Sequence, residues 1–456
     1  MMRLTFLGCL LAVSAVLPVQ AQFNASAQLR VRSELRNGQG SPVVRDTSAA
    51  FFISQRTRIN LGFAGHRFRI YTTIQDVRVW GQDASTVNRV TSDANDGLMV
   101  HEAWTEVNLL DTGRSKPTFT LKAGRQELVY DDVRLLGNLD WLQQGRRHDA
   151  VLLKLEQKGW ITHLGAAFNQ NAERKSNTIY NGVPSSYAAG TNGMNSLYKS
   201  MQFLYVGRKQ KWGSASFLLF KDDFSKFHFN RGDSLKKNPI YDRSAWSRLT
   251  TGLYVNAALG KFSFVASAYY QGGHYREGTS LNEYLVSLST LYNFSPRISF
   301  GPGVDITSGN NGNDPAKKYK RFDPLYGTPH KFWGYMDYFY VADGFGSNGL
   351  VDIYMKSVHK LRKSITCSID VHQFLLPNAV VNESNIAMKK SLGTEVDVII
   401  NYGITKEIML EGGACYMLAT STMSSSHVKN IAGANPNASW LYLMFSIKPE
   451  SIIRKM

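Results

Sequence analysis

The chain has 456 residues, a formal net charge of +17 and 12% aromatic side chains, and that aromatic content argues against a disordered polymer. Its mean hydropathy is slightly polar, and no run of about 18 apolar residues follows the N-terminal segment, which excludes a bundle of membrane-spanning helices. A barrel survives both tests, because half of each of its strands faces water.

Met1 to Arg3 form a short positive start, and Leu4 to Leu17 form an uncharged apolar core. Val19-Gln20-Ala21 ends it in a small-x-small pattern. These features predict a secretion signal over residues 1–21 and a mature start at Gln22, and the apolar stretch is too short for an anchor helix. Phe6-Leu7-Gly8-Cys9 faintly resembles a lipoprotein box, but apolar residues run past Cys9. Removing the signal removes Arg3 and no acid, so +17 becomes +16. Such a balance suits an anionic surface or an acidic solute, and secretion argues against nucleic acid as a partner. Cys367 and Cys415 remain, both on the apolar phase of predicted strands, and read as small membrane-facing residues rather than a disulfide.

Ala25 to Arg36 alternate without a slip. Ala25, Ala27, Leu29, Val31 and Leu35 fall on one face, with Gln28, Arg30, Arg32, Glu34 and Arg36 on the other. A period of two is a strand with one apolar and one polar face. The pattern recurs from Ile53 to Phe63, with Arg56 and Arg58 opposite Ile59 and Leu61, and again from Arg67, where Phe68, Ile70 and Ile74 share a face. The phase breaks at Asp76-Val77-Arg78-Val79, which predicts a bulge or a stretch above the bilayer. His101 to Leu109 and a segment from Thr118 follow, and the segments near 148–156 and 350–357 are weaker. Farther on, Leu249, Leu253 and Val255 oppose Arg248, Thr250 and Tyr254, and Leu441, Leu443 and Phe445 oppose Tyr442 and Met444.

About eighteen segments of barrel-strand length emerge (roughly 9–11 residues each). Short turns near 64–66, 157–159, 209–211, 259–261, 293–296, 359–363 and 403–406 alternate with long connections near 127–147, 170–198, 222–246, 272–282, 308–349, 374–391 and 419–438. This rhythm predicts an all-β, transmembrane antiparallel barrel with periplasmic turns, extracellular loops and both termini in the periplasm. Trp160 and Trp212 stand beside short turns, where an aromatic girdle belongs. Residues 22–456 read as one domain in contact with outer-membrane lipid.

The dyad phase assigns Arg30, Arg32, Arg36, Arg56, Arg58, Arg69, Lys122 and Arg248 to the lumen, since a cation on the lipid face costs about 2–4 kcal/mol at the midplane. Two readings stay open for each. It pairs with a lumen acid such as Glu34, Glu102, Glu106, Asp352, Glu395 or Asp397, or it contacts a solute. The excess of bases tilts the pore toward anions. No serine–histidine or aspartate–histidine constellation demands proximity. His101, His330 and His372 are scattered, and Asp370 with His372 reads as lumen wall. Asn310 to Asp314 lack a full calcium pattern, and Arg231-Gly232-Asp233 is a common chance tripeptide. No cofactor or metal spacing is present.

Two regions resemble the alginate export family of bacterial outer-membrane proteins. The first runs Leu121-Lys122-Ala123-Gly124-Arg125-Gln126-Glu127-Leu128, then Tyr130-Asp131-Asp132, Arg134-Leu135, Gly137, Asp140-Trp141, Gly145-Arg146 and Asp149-Ala150. The second is His330-Lys331-Phe332-Trp333-Gly334-Tyr335 with Asp337, then Leu392-Gly393, Glu395 and Asp397. The resemblance implies an 18-stranded monomeric barrel whose arginine-rich pore conducts an acidic polysaccharide, with periplasmic secretion partners behind it. It implies Arg125, Arg134 and Arg146 as pore-lining residues and Glu395 and Asp397 as lumen acids. Arg125 conflicts with alternation, because Phe119, Leu121 and Ala123 face lipid. Either Gly124 marks a bulge that turns Arg125 inward or Arg125 lies above the bilayer. Asp131 stands where the family favours glycine, and Lys448 to Met456 follow the last strand in place of a terminal aromatic residue.

The leading expectation is a passive, anion-selective channel for acidic polysaccharide or smaller acidic solutes. The alternative is a general or substrate-specific uptake porin with a long loop such as 308–349 folded inward as a constriction. An outer-membrane enzyme or adhesin is the third class, with no catalytic constellation to support it.

Overall fold

The computed structural model describes residues 22–81, 98–110, 117–171, 173–176, 178–180, 197–232, 235, 238–310, 321–341, 346–382, 384–449 and 452–455. The signal over 1–21, most of Asn310 to Asp314 and Asp233 lie outside them. Strands follow one another almost without helix: β1 (Gln22–Asn37), β2 (Ala50–Ala64), β3 (Phe68–Val79), β4 (Met99–Asn108), β5 (Thr118–Gln126), β6 (His148–Gln157), β7 (Trp160–Phe168), β8 (Ser200–Gln210) and β9 (Gly213–His228). They continue as β10 (Ile240–Leu259), β11 (Phe262–His274), β12 (Ser280–Asn293), β13 (Ile298–Thr307), β14 (Leu350–Arg362), β15 (Ile365–Leu375), β16 (Ser391–Gly403), β17 (Ile408–Ala419), β18 (Asn437–Ile447) and β19 (Ile452–Lys455).

Every strand from β1 to β18 pairs antiparallel with its sequence neighbour, and β1 pairs with β18 through Leu29↔Ile447 to Asn37↔Ser439. The sheet therefore closes into an eighteen-stranded barrel with no free edge. The segment after β18, expected only as a run-on, returns as β19 and pairs Gln22–Ala25 of β1 with Ile452–Lys455.

The alternation read from the sequence sets the two faces. Leu249 and Leu253 of β10 are exposed on the outer wall, whereas Arg248, Thr250 and Tyr254 are buried inside. Trp160 and Trp212 are exposed beside short turns. The phase break in β3 leaves its pairing with β2 intact up to Ser54↔Val79, and the irregularity falls instead between β3 and β4, at Thr73/Ile74. There Glu102 pairs with Thr73 and Val100 with Ile74, so His101 is the extra residue and turns inward, fully buried. Such a bulge re-aims a side chain. The connection expected over 222–246 is shorter, because β9 runs on to His228 and β10 starts at Ile240. Cys415 corrects another expectation: it is buried on the inner face opposite Asp397, while Cys367 is half-buried, and both thiols are free.

The lumen is only partly a basic, water-facing wall. Residues 127–147 and 321–341 fold into the barrel and pair with each other. The Tyr326 amide donates to the Leu135 carbonyl at 2.9 Å, the Gly137 amide to the Tyr326 carbonyl at 3.0 Å and the Thr328 amide to the Val133 carbonyl at 2.8 Å. A side chain at Gly327 would place its Cβ 1.9 Å from the Arg134 carbonyl oxygen, so only glycine permits this approach. The paired loops carry Leu128, Leu135, Leu136, Leu325, Tyr326 and Met336 into an apolar core against Leu152, Met201, Phe203 and Phe220 of the wall. Leu152 of β6, Met201 and Phe203 of β8 and Phe220 of β9 therefore form an apolar stretch of inner wall, whereas the inward arginines concentrate on β1 and β2.

Candidate functional site

Alternation on β1 and β2 aims Arg30, Arg32, Arg56 and Arg58 at one target, the 138–145 segment of the inward loop. Arg30 and Arg56 are direct cross-strand partners. Arg56 Nη2 donates to Asp140 Oδ1 at 2.7 Å and Arg30 Nη1 to Asp140 Oδ2 at 3.4 Å, while Arg58 Nη1 lies 3.8 Å from the same carboxylate. Three guanidinium groups thus share one aspartate. Arg32 Nε donates to the buried Glu34 Oε1 at 2.9 Å, a carboxylate it shares with Arg36, and other donors reach neutral acceptors. Arg30 contacts Gln143 Oε1 at 3.0 Å and the Leu142 carbonyl at 3.2 Å, and Arg32 Nη1 donates to the Trp141 carbonyl at 2.9 Å.

Burial alone would raise the Asp140 carboxyl, but Arg56 and Arg30 outweigh it and hold it down at about 2. Its side chain remains 44% exposed, whereas that of Arg56 is 0% exposed. Among the described residues, Arg56 Nε has no hydrogen-bond partner. Arg58 extends the cluster, donating to Gln75 Oε1 at 2.7 Å, meeting His101 Nε2 at 2.9 Å and lying 3.6 Å from Glu127. Glu127 also meets His101 at 2.8 Å and accepts from Asn138 at 2.8 Å. Those bonds and Arg58 overcome burial and keep its carboxyl below the usual range. Five arginines, Arg30, Arg32, Arg36, Arg56 and Arg58, face Asp140, Glu127, Glu34 and a row of carbonyls, which leaves positive charge in excess on this arc. The guanidinium geometry is matched to carboxylates.

Trp141 is packed between the arginine wall and the second loop. Its ring stacks on His330 with centroids 4.1 Å apart, and the Arg32 guanidinium lies 4.1 Å from its centroid. His330 belongs to the second loop, where its Nδ1 meets Asp337 Oδ1 at 2.7 Å, so the stack ties the second loop to Trp141 of the first.

The other expected residues divide by position. Lys122 faces inward with its ammonium 3.9 Å from the Trp104 centroid, and Arg69, opposite Glu106, keeps the lumen phase near the short-turn mouth, where it is exposed. Arg248 is fully buried and saturated, with two bonds to Asp222 at 2.6 and 3.0 Å and one to Asp323 at 2.7 Å. Arg134 and Arg146 belong to the inward loop and not to the wall. Arg134 donates to Asp305 at 2.6 Å and Ser287 at 3.0 Å, and Arg146 donates to the Gly327 carbonyl at 2.6 Å. Glu395 and Asp397 are buried, and they accept from the Met336 amide at 2.7 Å and the Tyr335 amide at 3.3 Å. These acids hold the second loop by its backbone.

Arg125 is a correction. It lies on the outer face at the loop end of β5 and forms two bonds to Asp149 of β6, at 2.8 and 3.0 Å. Gly124 has φ +124°, but the pairs Gly124↔Ala150 and Arg125↔Asp149 stay in register. No extra residue is inserted, so nothing turns Arg125 inward. Asp140, Trp141, Gln143, His101 and Glu127 were missed as site residues. Asp140, Trp141 and Glu127 stood inside the first family-like segment, which was their only signal. Among the described residues no three His, Cys, Asp or Glu side chains converge as a metal cage.

Residues 21–379 match the family model described as alginate export. Solved structures of similar fold include OccAB1 of Acinetobacter baumannii, at TM-score 0.60 and 11% identity over 94% of this chain and 96% of that one. A BenF-like porin of Pseudomonas fluorescens Pf-5 aligns at TM-score 0.59 and 11% identity over 94% and 98%. OpdK of Pseudomonas aeruginosa, solved with vanillate, aligns at TM-score 0.54 and 10% identity over 94% and 99%. No curated protein matches the chain.

Proposed function

The chain belongs to the alginate export family and is an outer-membrane channel, and we propose that its pore selects anions and conducts acidic saccharide chains or smaller carboxylates. The observation that carries this reading is the sharing of one carboxylate, Asp140, by Arg30, Arg56 and Arg58. A carboxylate arriving from either side meets donors already aimed inward and only partly compensated. It can replace Asp140 on Arg56 or Arg30 without leaving a guanidinium unpaired. Exchange between equivalent partners keeps each site weak enough to leave, which conduction requires. Direction comes from a gradient or from a machine that feeds the barrel, since nothing in the wall consumes energy.

The inward fold of both loops supports a second reading, a substrate-specific porin for small carboxylates, in which the paired loops set a narrow passage. One planar-bilayer experiment addresses both. Reversal potentials across a salt gradient are expected to be anion-selective, and joint replacement of Arg30, Arg32, Arg56 and Arg58 by Glu is expected to abolish that preference. Cation selectivity of the native barrel would sink both readings. Block by oligouronate chains favours the saccharide conduit, and block by monomeric carboxylates alone favours the narrow porin.

A further inference from the structure

The short-turn rim carries a second concentration of positive charge that the pore does not use. Arg67, Lys158, Lys209, Lys261, Arg297 and Lys360 each sit on or beside a different short turn. At one place three of these turns are stitched together. The Asn293 amide and its Nδ2 donate to the Lys261 carbonyl at 2.8 and 3.1 Å, and the Lys360 amide donates to the Arg297 carbonyl at 2.8 Å. The turns β10–β11, β12–β13 and β14–β15 thereby enclose a cleft of about 340 Å³, flanked by Lys261 and Lys360 and floored by Asn293, Phe294, Ser295 and Ser299.

No acid occurs in these three turns, and among the described residues neither lysine meets a carboxylate. The Lys261 ammonium lies 6.0 Å from the Tyr292 ring centroid. Tyr292 belongs to an outward aromatic patch. Its ring lies 5.0 Å from Phe262 and 6.1 Å from Phe300, and Phe294, 61% exposed, lies 6.4 Å from Phe300. Apolar rings on the lipid face therefore run directly into a cleft bounded by two lysines. Aromatic residues mark the headgroup level of a bilayer, and basic side chains there attract anionic headgroups.

We propose that this three-turn cleft is a headgroup site for an anionic phospholipid of the periplasmic leaflet. The phosphodiester sits between the Lys261 and Lys360 ammonium groups, with Arg297 adding charge from the same rim. The acyl chains lie along Phe262, Tyr292 and Phe300. The shared chemistry is a phosphate, so a lipid must be told apart from free phosphate. Nothing in this proposal depends on what the pore conducts.

Native mass spectrometry of the delipidated full-length barrel, supplied separately with phosphatidylglycerol and phosphatidylcholine, tests it. One phosphatidylglycerol is expected to persist after phosphatidylcholine has left. The triple variant Lys261→Gln, Arg297→Gln, Lys360→Gln should bind it on the order of a hundredfold more weakly, since each basic residue near an anionic surface contributes roughly a fivefold factor. Lys158→Gln with Lys209→Gln, on short turns outside the cleft, should leave retention unchanged, and the heat-shifted gel mobility of a folded barrel confirms that each variant is assembled. Equal retention of both lipids, unchanged binding by the triple variant, or inorganic phosphate binding as tightly as the lipid would each overturn the proposal.

Discussion

At the scale of single residues the site rests on an imbalance. Arg30 and Arg56 are buried beside one partly exposed carboxylate, so Asp140 neutralises one of the charges it faces. Asp140→Asn keeps the shape and removes that charge. Its expected effect is a stronger anion preference in reversal-potential measurements, with more current noise as the 138–145 segment loses its strongest anchor. The pH dependence has a definite sign. The Asp140 carboxyl is held at about 2, below its ordinary 3.8, so the anchor is fully present above pH about 4 and is lost as pH falls toward 2. Asp131, pushed up to about 6 by burial, titrates above that window. Conductance of the native channel should therefore change between pH about 4 and 2, and the Asp140→Asn channel should lack that step. A native profile identical to the variant's would remove Asp140 from the anchor role. Asp131 also explains why glycine suits its position: it adopts φ +52°, a left-handed conformation that glycine enters freely. Its carboxylate compensates by accepting from Tyr205 and Ser216, both at 2.8 Å. Period-two alternation made Arg30, Arg32, Arg56 and Arg58 legible in sequence, because lipid forbids cations on the other face. It says nothing about the loop partners, since Asp140 and Gln143 sit 84 and 113 residues from Arg56 and Arg30.

At the scale of elements, the strands were legible; of the two inward loops, one was anticipated as an inward fold within 308–349 and the other, 127–147, was not. A strand in a barrel has one permitted period, whereas a loop that packs into a lumen has none. Residues 127–147 were placed as a long external connection, yet Leu135, Leu136 and Gln143 are buried. A hint for the 127–147 loop lay in the apolar inward phase of β8, where Met201, Phe203 and Tyr205 need a partner that water cannot supply. The ladder between the two loops provides a test at this scale. Gly327→Ala would force a Cβ to within 1.9 Å of the Arg134 carbonyl, so the loops must part. Single-channel conductance should rise and protease should cut within 127–147 or 321–341, while the barrel stays folded. An unchanged conductance would mean that the loop pair does not bound the conducting path.

At the scale of the whole molecule, closure decides assembly. A barrel has no edge only if its first and last strands meet along their full length, and a lipid-facing edge would leave backbone groups unpaired where no water can reach them. Pairing of β18 with β1 stops at Leu29↔Ile447. The next pairs on that side of β1 come from β19, from Ala25↔Ile452 to Gln22↔Lys455. Residues after Ile447 therefore seal the periplasmic end of the seam, a task invisible in a sequence where alternation fades after β18. Truncation after Ile447 would leave Gln22–Ala25 of β1 bonded only to β2. Each backbone group left unpaired at that depth costs up to several kcal/mol, although water at the periplasmic rim reduces the penalty. The truncated chain should insert into vesicles more slowly and lose its heat-resistant gel mobility at a lower temperature. Charge-neutral variants of the arginine wall should keep native closure. That contrast separates the residues that seal the barrel from those that line its pore, and an equal loss of heat resistance in both sets would show that wall and seam are one structural unit.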